Sequence, residues 1–328
     1  LLGNSRPNPT GSNPDIGSYE NTLASRLTIT RYVSTNGSDS NDGSVDSPLA
    51  SIQYAINQVA SGDTIFVNPG TYYENLTLGY SNFALISLEG RDSTIIDGIN
   101  NDRVFTISNS NTDTTTLIQG FTIQNGYSGS SSNGGGIYIE NGASIKLQNC
   151  IIKDNTCQGS GSSGFGGGYC SNGSSSVIES CIFQSNSGSE GGAICLLSDI
   201  ATQIRNCEFY NNIGANSGSS IEILYNSTGK QKIINSSFHD EDHFIQIEQA
   251  NDDSVLIINC DFSNSTYRAI DNQSSNYLFI QGCSFTNITN ADNEGAAIIS
   301  QGQALHIKDC DFTNISNTSA QGRGSVLY

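Results

Sequence analysis

Nine cysteines, three histidines and scattered aspartates are the side chains of this 328-residue chain best suited to chemistry. Six of the thiols fall in one recurring phrase: a turn residue, a small residue, a spacer and a large apolar residue. It reads Asn149-Cys150-Ile151-Ile152, Ser180-Cys181-Ile182-Phe183, Asn206-Cys207-Glu208-Phe209, Asn235-Ser236-Ser237-Phe238, Asn259-Cys260-Asp261-Phe262, Gly282-Cys283-Ser284-Phe285 and Asp309-Cys310-Asp311-Phe312, with Gly120-Phe121-Thr122-Ile123 as a degenerate copy. Thiols placed this way could hold a metal, pair as disulfides or serve as small apolar groups. No Cys-x-x-Cys occurs, and His239, His243 and His306 do not pair with a cysteine at metal-ligand spacing, which argues against zinc. Stacked in register, the thiols come within disulfide range, but their parallel Cβ directions make the required dihedral poor. A column of reduced, buried thiols is therefore expected. Cys170 and Cys195 follow equivalent glycine-rich entries, are expected to face outward on adjacent repeats, and are the disulfide candidates; Cys157 is left over.

Oxygen ligands suggest a second chemistry. Asp39, Asn41 and Asp42 lie at short spacing in the turn-rich run Asn36-Gly37-Ser38-Asp39-Ser40-Asn41-Asp42-Gly43, a candidate calcium loop without an EF-hand pattern. Asx turns account for the same residues, and no other cofactor is expected. Ten Asn-x-Ser/Thr sequons, at Asn36, Asn75, Asn172, Asn226, Asn235, Asn264, Asn272, Asn287, Asn314 and Asn317, are glycosylation candidates. Their number is close to chance for so Asn-, Ser- and Thr-rich a chain. Tyr138, Tyr210 and Tyr267 are outward aromatics able to stack on sugars.

The spacing of the phrase decides what must position these residues. Copies recur every 23–31 residues, the period of a solenoid rather than of an ordinary globular core. Only 35% of residues are apolar, which suits a core one residue wide on each face. A net charge of −18 argues against nucleic acid or an anionic membrane as partner. No apolar run approaches the roughly 18 residues of a membrane span, so no membrane insertion is expected. Met is absent, so residue 1 is not a translation start and a processed product or a piece of a longer chain is expected.

Residues 1–26, with Pro7, Pro9 and Pro14 among glycines, read as a separate loop-like segment. One helix is expected at about 48–61, with Ser47 as N-cap, Pro48 at its first position and Gly62 as its stop. It would cap the first turn of the solenoid that fills residues 27–328. From Asp63 onward the chain is short strands and turns. Glycine-rich entries such as Gly191-Gly192-Ala193-Ile194 precede one strand. A second strand follows, and a one-residue corner then leads into the Cys-x-Phe strand. At Asn206 the inside–outside alternation slips by one, as a sharp corner requires. Three strands per turn, each stacked on its equivalent, make an all-β, three-sheet parallel β-helix.

Tyr32-Val33-Ser34-Thr35-Asn36-Gly37-Ser38-Asp39, Asp63-Thr64-Ile65-Phe66-Val67, Pro69-Gly70-Thr71-Tyr72 and Ser93-Thr94-Ile95-Ile96-Asp97-Gly98 resemble the opening of right-handed parallel β-helix proteins of the pectin-lyase-like superfamily. The pairing of Gly191-Gly192-Ala193-Ile194 with Phe183-Gln184-Ser185-Asn186 is similar to the repeats of chlamydial polymorphic outer-membrane proteins, although Phe262, Phe285 and Phe312 are not followed three residues on by Asn. The resemblance implies a secreted or cell-surface protein. The superfamily holds lyases, hydrolases, adhesins and structural shafts, so it does not fix an activity. Asn111-Thr112-Asp113 and Asp252-Asp253 echo its hydrolase motifs, but they lie about 140 residues apart, no His-Gly accompanies them, and turn chemistry explains both. Gly3-Asn4-Ser5-Arg6-Pro7 resembles a closing segment of such domains, which implies packing on a neighbouring copy or an adjacent domain. The leading expectation is an extracellular structural or adhesive repeat unit, joined end to end with its neighbours and not an enzyme. The alternative is a β-helix that binds or cleaves carbohydrate, marked by three or more carboxylates converging with an Arg or Lys in one groove.

Overall fold

The structure, a computed structural model, describes residues 27–327 apart from 80–81, 130–131, 160–163, 217, 225–228, 249–253, 275–276, 292–294, 303 and 320–325. The expectations for residues 1–26, Asn226 and Asp252-Asp253 lie outside the described residues. One turn of the chain runs through strands Val177–Glu179, Ile182–Gln184, Ser187–Gly188 and Ile194–Leu197. Each pairs in parallel with its equivalent in the next turn. Among the described residues the result is a parallel β-helix of three long sheets, with eleven strands (sheet I), ten (sheet II) and nine (sheet III). A short sheet of four strands sits at the corner between sheets II and III.

The recurring phrase makes the corner and the core together. Its turn residues, Asn149, Ser180, Asn206, Asn235, Asn259 and Asp309, all have φ of 50–56°, and Gly282 has 65°. Asn, Asp and Gly tolerate this left-handed region best, so the corner residue is chosen by backbone shape. A second left-handed column follows two residues after each large apolar residue, at Asn125, Asp154, Ser185, Asn211, Asp240, Asn264, Asn287 and Asn314. Between the two corners the phenylalanines stack in register. Ring centroids are 5.1 Å apart for Phe183–Phe209, 4.7 Å for Phe209–Phe238, 4.9 Å for Phe238–Phe262 and for Phe262–Phe285, and 4.8 Å for Phe285–Phe312. Burying each such ring stabilises the helix by about 2–3 kcal/mol.

The thiol column lines the core as expected. Cys150, Cys181, Cys207, Cys260 and Cys283 are buried, and all nine cysteines are free. Cys181 Sγ donates to Glu179 O at 3.3 Å and to Leu147 O at 3.7 Å, and the other column thiols repeat the pattern. The glycine-rich entries have a steric cause: a Cβ on Gly167 would sit 2.4 Å from Ser187 O and 2.5 Å from Gly192 O.

The helix differs from expectation. It spans only Ile52–Ile56, and Ser51, not Ser47, is its N-cap, with Oγ accepting from Tyr54 N at 3.1 Å. The preceding residues are held in extended pairing instead, as Leu49 bridges to Val33. Glu74, from the first turn of the solenoid, accepts the Ile52 and Gln53 amides at 2.8 Å each and so fixes where the helix begins.

Candidate functional site

A column of buried side chains at the corner between sheets II and III leads to the site. Asn155, Asn186 and Asn212 each donate Nδ2 to the side-chain oxygen of the next, ending on Glu241: 3.0 Å for Asn155–Asn186 and for Asn186–Asn212, and 2.7 Å for Asn212–Glu241. Each of those oxygens also accepts the backbone amide of the preceding column member. Burial raises the Glu241 carboxyl to about pH 7, against the lowering effect of bonds from Ser220 and Asn212. At Glu241 the cross-section changes. The short sheet ends with Ile213–Gly214, and the sheet II strands lengthen from three residues (Ser237–His239) to five (Asp261–Ser265) and seven (Ser284–Asn290).

This step leaves a groove of about 310 Å³ on the outside of sheet III. Residues 212–216 form one wall. The floor comes from strands His243–Ile247 and Arg268–Asn272, which pair His243 with Arg268 and Gln246 with Asp271. Both strands are buried along their whole length. Arg268 Nη1 donates to Asp271 Oδ2 at 2.6 Å, and its guanidinium lies 4.5 Å from the centre of the Tyr267 ring. Gln273 Nε2 also donates to Asp271 Oδ2, at 3.2 Å. His243 meets Tyr267 edge to face at 5.5 Å. Burial, and then the Arg268 charge, hold the His243 imidazole down to about pH 4 against the opposing pull of Asp271, so it is neutral at physiological pH. Asp271 Oδ1 and His243 Nε2, both on lining residues, are buried polar atoms with no hydrogen-bond partner.

None of the candidate ligands named from the sequence lies in this groove. Asp39 Oδ1 accepts the amides of Ala50 and Ser51 at 2.9 and 3.0 Å, Asn41 Nδ2 donates to Pro48 O at 2.8 Å, and Asp42 Oδ1 accepts Ser44 N at 2.9 Å. Asp42 makes an Asx turn on Ser44, whereas Asp39 and Asn41 tie this loop to residues 48–51 at the start of the helix. Among the described residues no group of three or more His, Cys, Asp or Glu gathers at metal distance. Asp113 closes its own turn on Thr115.

Cys170 and Cys195 do face each other across adjacent strands, but they are buried rather than exposed. They lie outside the main core in a satellite cluster with Phe165, Leu197 and Leu224, against which Tyr138 packs. Loop residue Phe165 supplies the cover that sequence alternation does not reveal.

Of the sequons, Asn36, Asn75, Asn235, Asn264, Asn287 and Asn314 are exposed, while Asn172 and Asn317 are half-buried. Asn272 is a correction: it is fully buried, with Nδ2 donating to Ser300 Oγ at 3.0 Å. Asn264, Asn287 and Asn314 form an outer ladder along the second left-handed column, Asn287 Nδ2 donating to Asn264 Oδ1 at 3.1 Å and Asn314 Nδ2 to Asn287 Oδ1 at 3.0 Å. Of the tyrosines named for sugar stacking, Tyr267 lies in the groove, Tyr138 lies 4.6 Å from Arg103, and Tyr210 stacks on His239 at 5.2 Å.

Two families match the chain: "Right handed beta helix region" over residues 187–325, and a protein of unknown function (DUF1565) over residues 35–80. Pectate lyase Pel9A has a similar structure, with a TM-score of 0.54 at 14% identity, over 90% of this chain and 81% of that one. The chain is a right-handed parallel β-helix, the fold it shares with Pel9A. Sequence similarity to this β-helix's curated relatives is local. Pectate lyase PEL9 of Emericella nidulans is 42% identical over 74 residues, covering 20% of this chain and 18% of its own length. Uncharacterized protein YwoF of Bacillus subtilis is 40% identical over 50 residues, covering 15% and 11%. Among the described residues no helix of the β-helix is long and apolar enough to cross a membrane.

The sequence reading missed Asp242, His243, Gln246, Arg268 and Asp271. A signal was present. Ser219 and Glu222, His243 and Gln246, and Arg268 and Asp271 repeat one spacing, where earlier turns carry Gly192 and Cys195. Polar and charged residues thus replace small ones at a fixed pair of positions in consecutive turns.

Proposed function

We propose that this chain is a secreted or cell-surface β-helix unit whose function is adhesive, through a carbohydrate held in the groove at the end of the short sheet. The observation that carries the reading is the groove's pairing of an aromatic, Tyr267, with buried polar atoms that lack partners, Asp271 Oδ1 and His243 Nε2. An unsatisfied buried polar atom costs about 1–3 kcal/mol, and a hydroxyl-bearing ligand or its water would recover that energy. An aromatic face with a few polar groups around it is the usual make-up of a small-ligand site. Among the described residues two carboxylates line the groove with Arg268, fewer than the three expected for cleavage, which supports binding over catalysis. Screening the whole chain against an oligosaccharide array tests this. Binding that Tyr267→Ala weakens at unchanged melting temperature supports the reading; no binding to any glycan, or binding indifferent to Tyr267→Ala, overturns it.

A further inference from the structure

Charge decides which saccharides the groove admits. Asp242 and Asp271 line it against one cation, Arg268, and that cation is committed to Asp271 Oδ2 at 2.6 Å. His243 contributes no charge at neutral pH, since its imidazole is held down to about pH 4. The neighbouring charges on the same outer face are negative: Glu222 pairs in register with Gln246, and Glu248 accepts a hydrogen bond from Gln246 Nε2. Asp271 uses one carboxylate oxygen for both of its donors, Arg268 and Gln273, and leaves the other without a donor.

We propose, resting on the carbohydrate reading above, that the groove takes an uncharged, hydroxyl-rich saccharide and rejects uronates, with Asp271 Oδ1 and His243 Nε2 as the pair that receives a ligand hydroxyl. A hydroxyl both donates and accepts, so it satisfies an acceptor-only carboxylate oxygen and either tautomer of a neutral imidazole. A ligand carboxylate only accepts. Beside Asp271 it meets like charge, and drawing Arg268 Nη1 away from Asp271 Oδ2 would leave a buried carboxylate without its ion pair. A carboxylate about 5 Å from a fixed negative charge in partly desolvated surroundings binds roughly tenfold more weakly than its neutral counterpart.

Titration calorimetry of the whole chain with neutral hexose tetrasaccharides and with uronate tetrasaccharides, each with and without calcium, tests the proposal. Neutral ligands bind and uronates bind about tenfold or more weakly at low salt, with the gap closing as salt screens it. Asp242→Lys, at an exposed position on the groove, narrows the gap. His243→Phe, which keeps a ring but removes both nitrogens, weakens neutral binding by about tenfold at unchanged melting temperature. Uronates that bind as well as neutral ligands, directly or only with calcium, overturn the proposal while leaving the carbohydrate reading standing. So does an unchanged preference in Asp242→Lys, or full affinity in His243→Phe. Absence of binding to any saccharide overturns both.

Discussion

Arg268 and Asp271 lie three residues apart on one strand, yet their side chains meet at 2.6 Å on the same face, 8% and 2% exposed. Regular alternation puts positions i and i+3 on opposite faces of a strand. Here Ala269 and Ile270 both join the main core, as Phe244 and Ile245 do one turn earlier. Two consecutive inward residues shift the alternation by one, so the residues flanking them both point outward. The same bend sets His243 and Gln246 side by side, and the groove floor follows from it.

Glu241 makes stability depend on pH. Its folded-state carboxyl is raised from 4.5 to about 7. A raised carboxyl contributes stability that is fully present below pH 4.5 and is lost as pH rises through 7, on the order of 3 kcal/mol in all. Glu241→Gln keeps an acceptor for Asn212 and removes the titration. Relative to wild type it should be more stable at pH 8 and lose that advantage by pH 4.5. Urea midpoints across that range check this, and parallel profiles for the two proteins would refute the assignment.

The phenylalanine column predicts a gradient of mutational cost. Phe238 is fully buried and stacks on Phe209 and Phe262. Phe238→Ala should cost about 3–5 kcal/mol. Phe312 is only partly buried in the last described turn of sheet II, so Phe312→Ala should cost less than half as much. Equal costs, read from denaturant unfolding, would mean that the stack is not what holds successive turns together.

Asn186 occupies the middle of the buried ladder, donating to Ile152 O and Asn212 Oδ1 and accepting from Asn155. Asn186→Leu keeps the branched outline but is bulkier and strands partners on both sides, and should cost on the order of 3 kcal/mol. Asn287→Leu, in the exposed ladder where water replaces lost partners, should cost under about 1 kcal/mol. Melting temperatures of the two variants give the comparison directly.

Thiol reactivity separates Cys310 from the rest. It alone among the nine cysteines is partly exposed. Burial raises the Cys181 and Cys195 thiols well above their ordinary range and raises Cys310 as well, so exposure rather than acidity sets Cys310 apart. A thiol reagent applied to the native protein should label Cys310 first, as mass spectrometry of the digested protein would register. Early labelling of Cys170 or Cys195 would show that the Phe165 cover opens readily.

The sequence by itself determined the shaft. A thiol, a phenylalanine and a left-handed turn residue recur at nearly constant spacing, and parallel in-register stacking needs no more than that local pattern. The Asn206 slip was legible because Asn, Asp and Gly suit φ near +55°. The helix start was not, because its amides are capped by Glu74 from another part of the chain. Nor was the covering of Cys170 and Cys195, which depends on a loop folding back over sheet III. The polar run at these positions was visible in the sequence, but the groove it lines exists only in the tertiary structure. Ser219, His243 and Arg268 come from three successive turns and meet only through rung-to-rung register. The phase shift that turns Gln246 and Asp271 to the same side arises from a bend in the strand, and alternation read along the sequence points these residues the wrong way.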